Sequence, residues 1–322
     1  MKHPLLTYIA LILALLSACS CKKKEEETTT KPSLYGLDFE LPPFGWPDAS
    51  FDLTASDVLT GDGKELTSAV TYKWKVDGGD YTEASTDRKF STGPLEVGNH
   101  LVTCTASDPD DNYYSVTTTK TVIIIDPGLG KTLNGTGIEA TDDHITDERG
   151  TEEGLSDYFF THIGELDWFR NNLAWTGAGI AYEETEVTSY PLGRYYTWEE
   201  ALTACPEGWR LPTDEEWASL GNEAGPLMCD AYLNSKRMWE YWPDVTRTNT
   251  TRLAVIPSGY ALPATTEPQF KRLYDYAAFW TATESAEDDR LACYRYIHVE
   301  ENEIRFTYGD KGSLALSVRC VR

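Results

Sequence analysis

Positive charge is scarce in this sequence: 28 Lys and Arg stand against 52 Asp and Glu, a formal net charge of −24. Without a basic stripe to neutralise phosphates, nucleic acid is excluded as a partner. Methionine is also rare, with 3 copies beside 19 Tyr and 10 Trp, a balance that fits a β-rich, exported protein. The 5 His are scattered, and none of the 7 Cys forms a Cys-x-x-Cys pair, so the residues support neither a zinc site nor a dithiol redox centre. No Ser/His/Asp order, HExxH or isolated reactive Cys stands out, and the chain reads as a non-enzyme. Gly130-Lys131-Thr132 lacks the upstream glycine of a phosphate loop, since Ile125 and Asp126 occupy that place. Long apolar runs are missing as well, save one.

That run, Leu5 to Leu16 in "MKHPLLTYIALILALLSACSC", follows Lys2 and His3. It is short for a membrane span and fits the core of a signal peptide. It ends in Leu16-Ser17-Ala18-Cys19, which resembles a bacterial lipobox. The resemblance implies a lipoprotein signal peptide over residues 1–18 and lipidation of Cys19. Cys21 lacks an aliphatic residue three positions before it. The membrane is then a partner through a lipid anchor. The following "KKKEEETTTK" has no apolar residue and cannot pack, so residues 19–32 read as a flexible tether. Acidic residues soon after such a cysteine resemble the surface-export signals of some Gram-negative lipoproteins, which implies an outer-membrane, cell-surface location.

A length of 322 residues leaves room for two domains. Residues 33–126 read as short strands between turns. "TYKWKV" puts Tyr72, Trp74 and Val76 on one face, and "HLVTCTAS" puts Val102, Cys104 and Ala106 on one face. Gly61-Asp62-Gly63, Asp77-Gly78-Gly79 and "DPDDN" mark turns. Such spacing predicts a β-sandwich. The stretch "FDLTASDVLTGDGKELTSAVTYKWKVDGG", together with "LEVGNHLVTCTASDPDDNYYS", resembles polycystic-kidney-disease-type (PKD) and related Ig-like modules. That resemblance implies a spacer or adhesion module. Cys104 has no partner within the module and reads as a small buried hydrophobe. Asp108, Asp110 and Asp111 carry hard oxygens suited to calcium, but a solvated turn uses the same residues. Residues 127–137 read as a linker.

The second half is most legible in "YYTWEEALTACPEGWRLPTDEEWASL". Thr197 followed by Glu200, and Thr213 followed by Glu216, predict two capping boxes and hence two helices. Glu199, Asp214 and Glu215 fall in the positive first turns, which accounts for the acid cluster without catalysis. Trp198, Ala201, Leu202 and Cys205 follow helical spacing in the first helix, as Trp217 and Leu220 do in the second. Pro206 and Gly208 shape the turn between them.

"CPEGWRLPTDEEW" together with "SVRCV" (Ser317 to Val321) closely resembles the Fibrobacter succinogenes major paralogous (FISUMP) domain. "WFRNNLAW", "IPSGYALP" and "YAAFWTATES" support the resemblance in the same order, over residues 138–322. The "RLPTDEEW" core is similar to those of the formylglycine-generating-enzyme-like and C-type-lectin-like folds. The expected architecture is therefore multidomain: an all-β Ig/PKD-like sandwich followed by an α+β C-type-lectin-like domain with long loops. The resemblance implies a Cys205–Cys320 disulfide and, with it, Cys229–Cys293. The four cysteines by themselves allow three pairings.

Formylglycine-generating enzymes hold closely spaced C-terminal cysteines for copper and substrate, whereas Cys320 stands alone, with Cys293 the nearest upstream. Sugar-binding lectins ligate calcium through Glu-Pro-Asn or Gln-Pro-Asp and a Trp-Asn-Asp. Here Glu267-Pro268-Gln269 and Trp242-Pro243-Asp244 are present without the last triplet, and calcium needs six or more oxygens. No cofactor is expected, with calcium at Asp108, Asp110, Asp111 or Glu267 the alternative.

The chain end, "LACYRYIHVEENEIRFTYGDKGSLALSVRCV", reads as three strands. Cys293, Ile297 and Val299 turn inward with Arg295 as an exception, and Ala292, Tyr294, Tyr296 and His298 share the other face. Leu314, Leu316, Val318 and Cys320 face the core. Some lectin-fold relatives place ligand residues on this sheet. The resemblance thus implies ligand binding by Tyr294, Tyr296, His298 and Arg305, with Trp280, Glu284, Asp288 and Arg290 nearby. The function expected is a lipid-anchored surface binding or adhesion protein taking a glycan or protein ligand. The alternatives are a structural subunit of a pilus-like, adhesin or other surface assembly without its own ligand and, third, a formylglycine-generating-type enzyme.

Overall fold

The computed structural model describes residues 30–126, 133–149, 157–263 and 266–322. The signal peptide, Cys19, Cys21, nearly all of the tether and most of the linker lie outside the described residues. The protein is mostly β-sheet, with a few short helices.

Alternation becomes strand in the first half. Thr71–Val76 buries Tyr72 and Trp74 and turns Lys73 outward. Gly98–Ser107 buries Val102, Cys104 and Ala106, which share one face as their spacing predicts. These two strands pair antiparallel, and Val116–Ile124 and Phe44–Gly45 complete a four-stranded sheet. Asp52–Thr54 pairs separately with Lys89–Ser91. The core between them is led by Phe39, Trp74 and Phe90, with Trp74 stacked on Phe90 at 5.2 Å. "DPDDN" is a turn: the Asp108 carboxylate accepts the N–H groups of Asp110 (3.1 Å) and Asn112 (2.8 Å).

This half packs directly on the next. Phe44 and Ile125 bury against Val187, and Trp46 meets Tyr190 edge-on at 5.4 Å. Asn99 and Asn234 exchange amide hydrogen bonds of 2.8 and 3.2 Å.

In the second half, both predicted helices form, as Trp198–Ala204 and Asp214–Ser219. The Thr213 hydroxyl accepts from Glu216 N–H (3.2 Å), and the Glu216 carboxylate accepts from Thr213 N–H (2.8 Å). Trp198, Ala201 and Ala204 make the buried face of the first helix, whereas Leu202 is 41% exposed. A seven-residue helix has one narrow buried stripe, and Ala204 completes it. The main sheet has three strands, Tyr276–Glu284, Leu291–His298 and Ile304–Asp310, in that order. Tyr276–Glu284 is buried on both sides: Ala278 and Trp280 enter one core cluster, Ala277 and Phe279 another.

The terminal "SVRCV" does not continue as a regular strand. It threads through isolated bridges, Phe279 with Ser317, and Val321 with both Trp168 and Arg210. The alternation expected of it is absent, because Ser317, Val318, Arg319, Cys320 and Val321 are all buried. Arg319 is held by oxygens. Its Nε donates to Asn172 Oδ1 (2.7 Å), and its terminal nitrogens donate to the carbonyls of Phe169 (2.9 Å), Leu253 (2.7 Å) and Ala254 (3.2 Å). Burial pulls its pKa down to about 9, so it stays charged at neutral pH. Asn172 Nδ2 donates in turn to Leu192 O (2.7 Å) and Ser258 Oγ (3.2 Å), and Ser258 bonds Ser317 (3.0 Å).

Cys205 and Cys320 are disulfide-bonded, Cα atoms 5.8 Å apart. The second expected bridge is absent: Cys104, Cys229 and Cys293 are free and buried. Cys229 packs with Met238, Ala254 and Ile256 under the loops. Cys293 sits in the main sheet, its thiol donating to Asp214 (3.2 Å). The two lie in different layers.

Burial pushes all three free thiols up to about 12. Iodoacetamide should therefore spare Cys104, Cys229 and Cys293 in the native chain and label all three after unfolding without reductant. A Cys229–Cys293 linked peptide in the mass map would contradict this. Arg319→Met leaves its buried acceptors without donors, and should lower unfolding free energy by at least about 3 kcal/mol in urea titrations. An unchanged midpoint would contradict the role given to Arg319.

Candidate binding cleft

The strand Leu291–His298 is central in the main sheet, so its two faces do different work. Behind it, Arg295 reaches the first turn of the Asp214 helix and binds that carboxylate through both Nε (2.5 Å) and a terminal nitrogen (2.8 Å). Arg295, an exception in the alternation, therefore points inward to a charge partner. Asp214 is more than a dipole-complementing acid, since it ties the helix to the strand. Burial works to raise the Asp214 pKa. The hydrogen bonds from Arg295 and Cys293 and the Arg295 charge outweigh it and hold the carboxyl below its ordinary value.

In front, Tyr294 and Tyr296 are half-buried. Tyr276, on the neighbouring strand, stacks on Tyr296 at 5.3 Å, and Tyr260 meets Tyr276 edge-on at 5.9 Å. Burial and the adjoining Tyr294 push the Tyr276 phenol well up. The Arg272 guanidinium lies 5.2 Å from the Tyr276 ring and is fixed by Asp275 (2.9 and 3.1 Å) and by His298 Nε2. Together these groups form a cleft of about 390 Å³ lined by Arg272, Tyr276, Tyr294, Tyr296 and His298, with Glu300, Glu301 and Thr307 at its rim. A smaller recess of about 130 Å³ continues it towards Tyr260, Leu314 and Leu316.

The structure thus brings together Tyr294, Tyr296 and His298 of the residues named from sequence. Arg305 stands opposite Tyr296 in the register, and Glu301 (2.5 Å) and Glu303 (3.2 Å) hold its guanidinium. Trp280 is not a surface residue: it is fully buried, and its indole N–H donates to Tyr196 O (2.8 Å). It supports Tyr294 from below, at 5.8 Å. Asp288 and Arg290 belong to the hairpin loop at the opposite end of Leu291–His298, roughly 25 Å of strand from His298, where they bind each other (2.7 Å). Glu284, at that same end, pairs with Lys311 (2.6 Å). These three are not part of the cleft.

Tyr260, Tyr276 and Arg272 were missed. Tyr260 and Tyr276 do occur in "IPSGYALP" and "YAAFWTATES", but nothing in either stretch marks the ring as lining a cleft. Arg272 sits in no pattern and is delivered by a loop.

The carboxylates named for calcium do not converge. Asp108 caps its turn, Asp110 accepts from Ser68 (2.5 Å) and Thr67 (3.0 Å), and Asp111 pairs with Lys31. Glu267 lies in the other half, just before the strand Gln269–Lys271. Among the described residues, no group of three or more His, Cys, Asp or Glu could hold a metal ion.

The family model described as Fibrobacter succinogenes major domain matches residues 161–322. No curated protein matches the chain.

The lowered Asp214 pKa makes a pH prediction. A carboxylate depressed in the folded state stabilises above its unfolded value, about 3.9, and that stability is lost as pH falls through the lower folded value. Asp214→Asn should therefore melt below the parent at pH 7, with the gap closing as the pH falls below the ordinary carboxylate range. Parallel melting curves across that range would contradict the ion pair's role.

Proposed function

The chain belongs to the Fibrobacter succinogenes major domain family, and we propose that it is a lipid-anchored, surface-exposed outer-membrane protein that binds a glycan. In this reading the C-terminal half is a C-type-lectin-like module, and the first half is a PKD/Ig-like sandwich that carries it. One observation carries the proposal: the tyrosine-lined cleft with a polar rim. Sugar rings present C–H faces to aromatic rings and hydroxyls to phenols, guanidinium and carboxylates, and Tyr294, Tyr296, Arg272, His298 and Glu301 offer that mixture in one place. Rigid tyrosines give contact area at low entropy cost. Recognition in this cleft draws on side-chain hydrogen bonds, with no calcium as mediator.

Catalysis of the formylglycine-generating kind finds no support in the cysteines. Cys320 is bonded to Cys205, and Cys293 is buried against Asp214.

A glycan array with the full chain tests the proposal. A hit is expected whose affinity falls about tenfold or more with Tyr294→Ala and with Tyr296→Ala, a loss of at least about 1.4 kcal/mol each. EDTA should leave binding unchanged. Absence of any glycan hit, with copurification of a pilus subunit, would replace the proposal by a purely structural role in an assembly.

A further inference from the structure

The strand Ile304–Asp310 is the outer edge of the main sheet. Ile304 N–H donates away from the sheet to Asn222 O (2.8 Å), whereas Lys311 N–H donates into it, to Arg290 O (3.0 Å). Ladder alternation then turns the backbone N–H and C=O of Phe306 and Tyr308 outward. Among the described residues, no backbone group bonds them there. The same two residues carry exposed rings, Phe306 at 55% and Tyr308 at 45%. The inner side of Phe306 is covered by the Arg295 guanidinium at 5.1 Å, which fixes the ring as a ledge. A recess of about 490 Å³ lies beside it, lined by Asn222, Arg295, Glu303 and Phe306 among others.

Open edges are usually blunted by charge, proline or a covering loop, because an unpaired edge templates a further strand. Here the Asn222–Glu223 segment covers only the beginning, where Glu223 bridges Glu303. We propose that the free part, Arg305 to Asp310, is a docking edge for an extended basic peptide segment of another protein, added as a fourth antiparallel strand. The flanking charge selects the partner. At one end Glu301 and Glu303 outnumber the one guanidinium they hold, that of Arg305, and Glu223 adds a further carboxylate; at the other stands Asp310, whose neighbour Lys311 is paired with Glu284. A second copy of this chain is disfavoured twice. Each copy carries a net charge of −24, and its Asn222–Glu223 segment lies where the other's strand would continue. The edge adjoins the tyrosine cleft, since Tyr296 lines both recesses and Thr307 of the edge strand lines the cleft, but its outward backbone groups and the Phe306 and Tyr308 rings lie outside the cleft, so its occupation does not require a glycan.

The test is fluorescence anisotropy with the full chain and two labelled peptides, one alternating valine with lysine, the other alternating valine with glutamate. The lysine peptide should bind and the glutamate peptide should not. Tyr308→Pro removes an outward N–H without breaking the inner ladder, and should weaken binding at least about tenfold while melting temperature stays unchanged. Phe306→Ala should weaken it while keeping every backbone donor, and Tyr294→Ala should leave it intact. Absence of lysine-peptide binding, equal binding by Tyr308→Pro, or a sedimenting dimer of the chain alone would overturn the proposal.

Discussion

Arg319 is buried with its guanidinium bound to oxygens of two separate stretches of chain, Phe169 with Asn172 and Leu253 with Ala254, and Asn172 in turn binds the Leu192 and Ser258 loops. A guanidinium taken out of water is costly unless its donors are satisfied. The loops around it must therefore keep their carbonyls in place. Where the chain runs as loops between short strands and helices, this fixes geometry that hydrogen-bonded elements fix elsewhere. Arg170 acts alongside it, bound to Asp142, Gly137 O and Arg252 O. The Cys205–Cys320 bond then ties the same terminal segment to the first helix. By chain-entropy arguments, a loop of this size contributes on the order of 4–5 kcal/mol.

This internal arrangement frees the main sheet for other work. Because Trp280, Ala292 and the terminal segment fill the space behind Tyr294 and Tyr296, those rings are set from below and by their tyrosine neighbours. Arg295 and Asp214 lock the opposite face of the same strand. The cleft is thus preorganised by packing on both sides of one strand, which lowers the entropy lost on binding.

Much of the scaffold was legible in the sequence where local rules decide. The period of two in "TYKWKV", the hydroxyl–glutamate pairs at Thr197 and Thr213, and the turn chemistry of "DPDDN" each specify their own neighbourhood. What escaped is non-local. Whether Cys229 reaches Cys293 depends on the layers in which two distant segments land. The alternation read into "SVRCV" failed because the segment is surrounded, with polar partners from other loops accepting Arg319. The candidate site shows the same division. Tyr294, Tyr296 and His298 follow from one strand's period, while Tyr260, Tyr276 and Arg272 arrive from other strands and a loop. Glu284, Asp288 and Arg290 are close to that strand in sequence but sit at the wrong end of it.

The central claim is that a scaffold clamped around Arg319 presents one preformed tyrosine cleft for a glycan. Aromatic-region NMR of tyrosine-labelled protein titrated with a bound oligosaccharide tests it most directly. The account predicts that Tyr260, Tyr276, Tyr294 and Tyr296 shift together at one saturation point while Tyr308 stays still. Shifts confined to Tyr308, or spread over tyrosines of the first half, would contradict it.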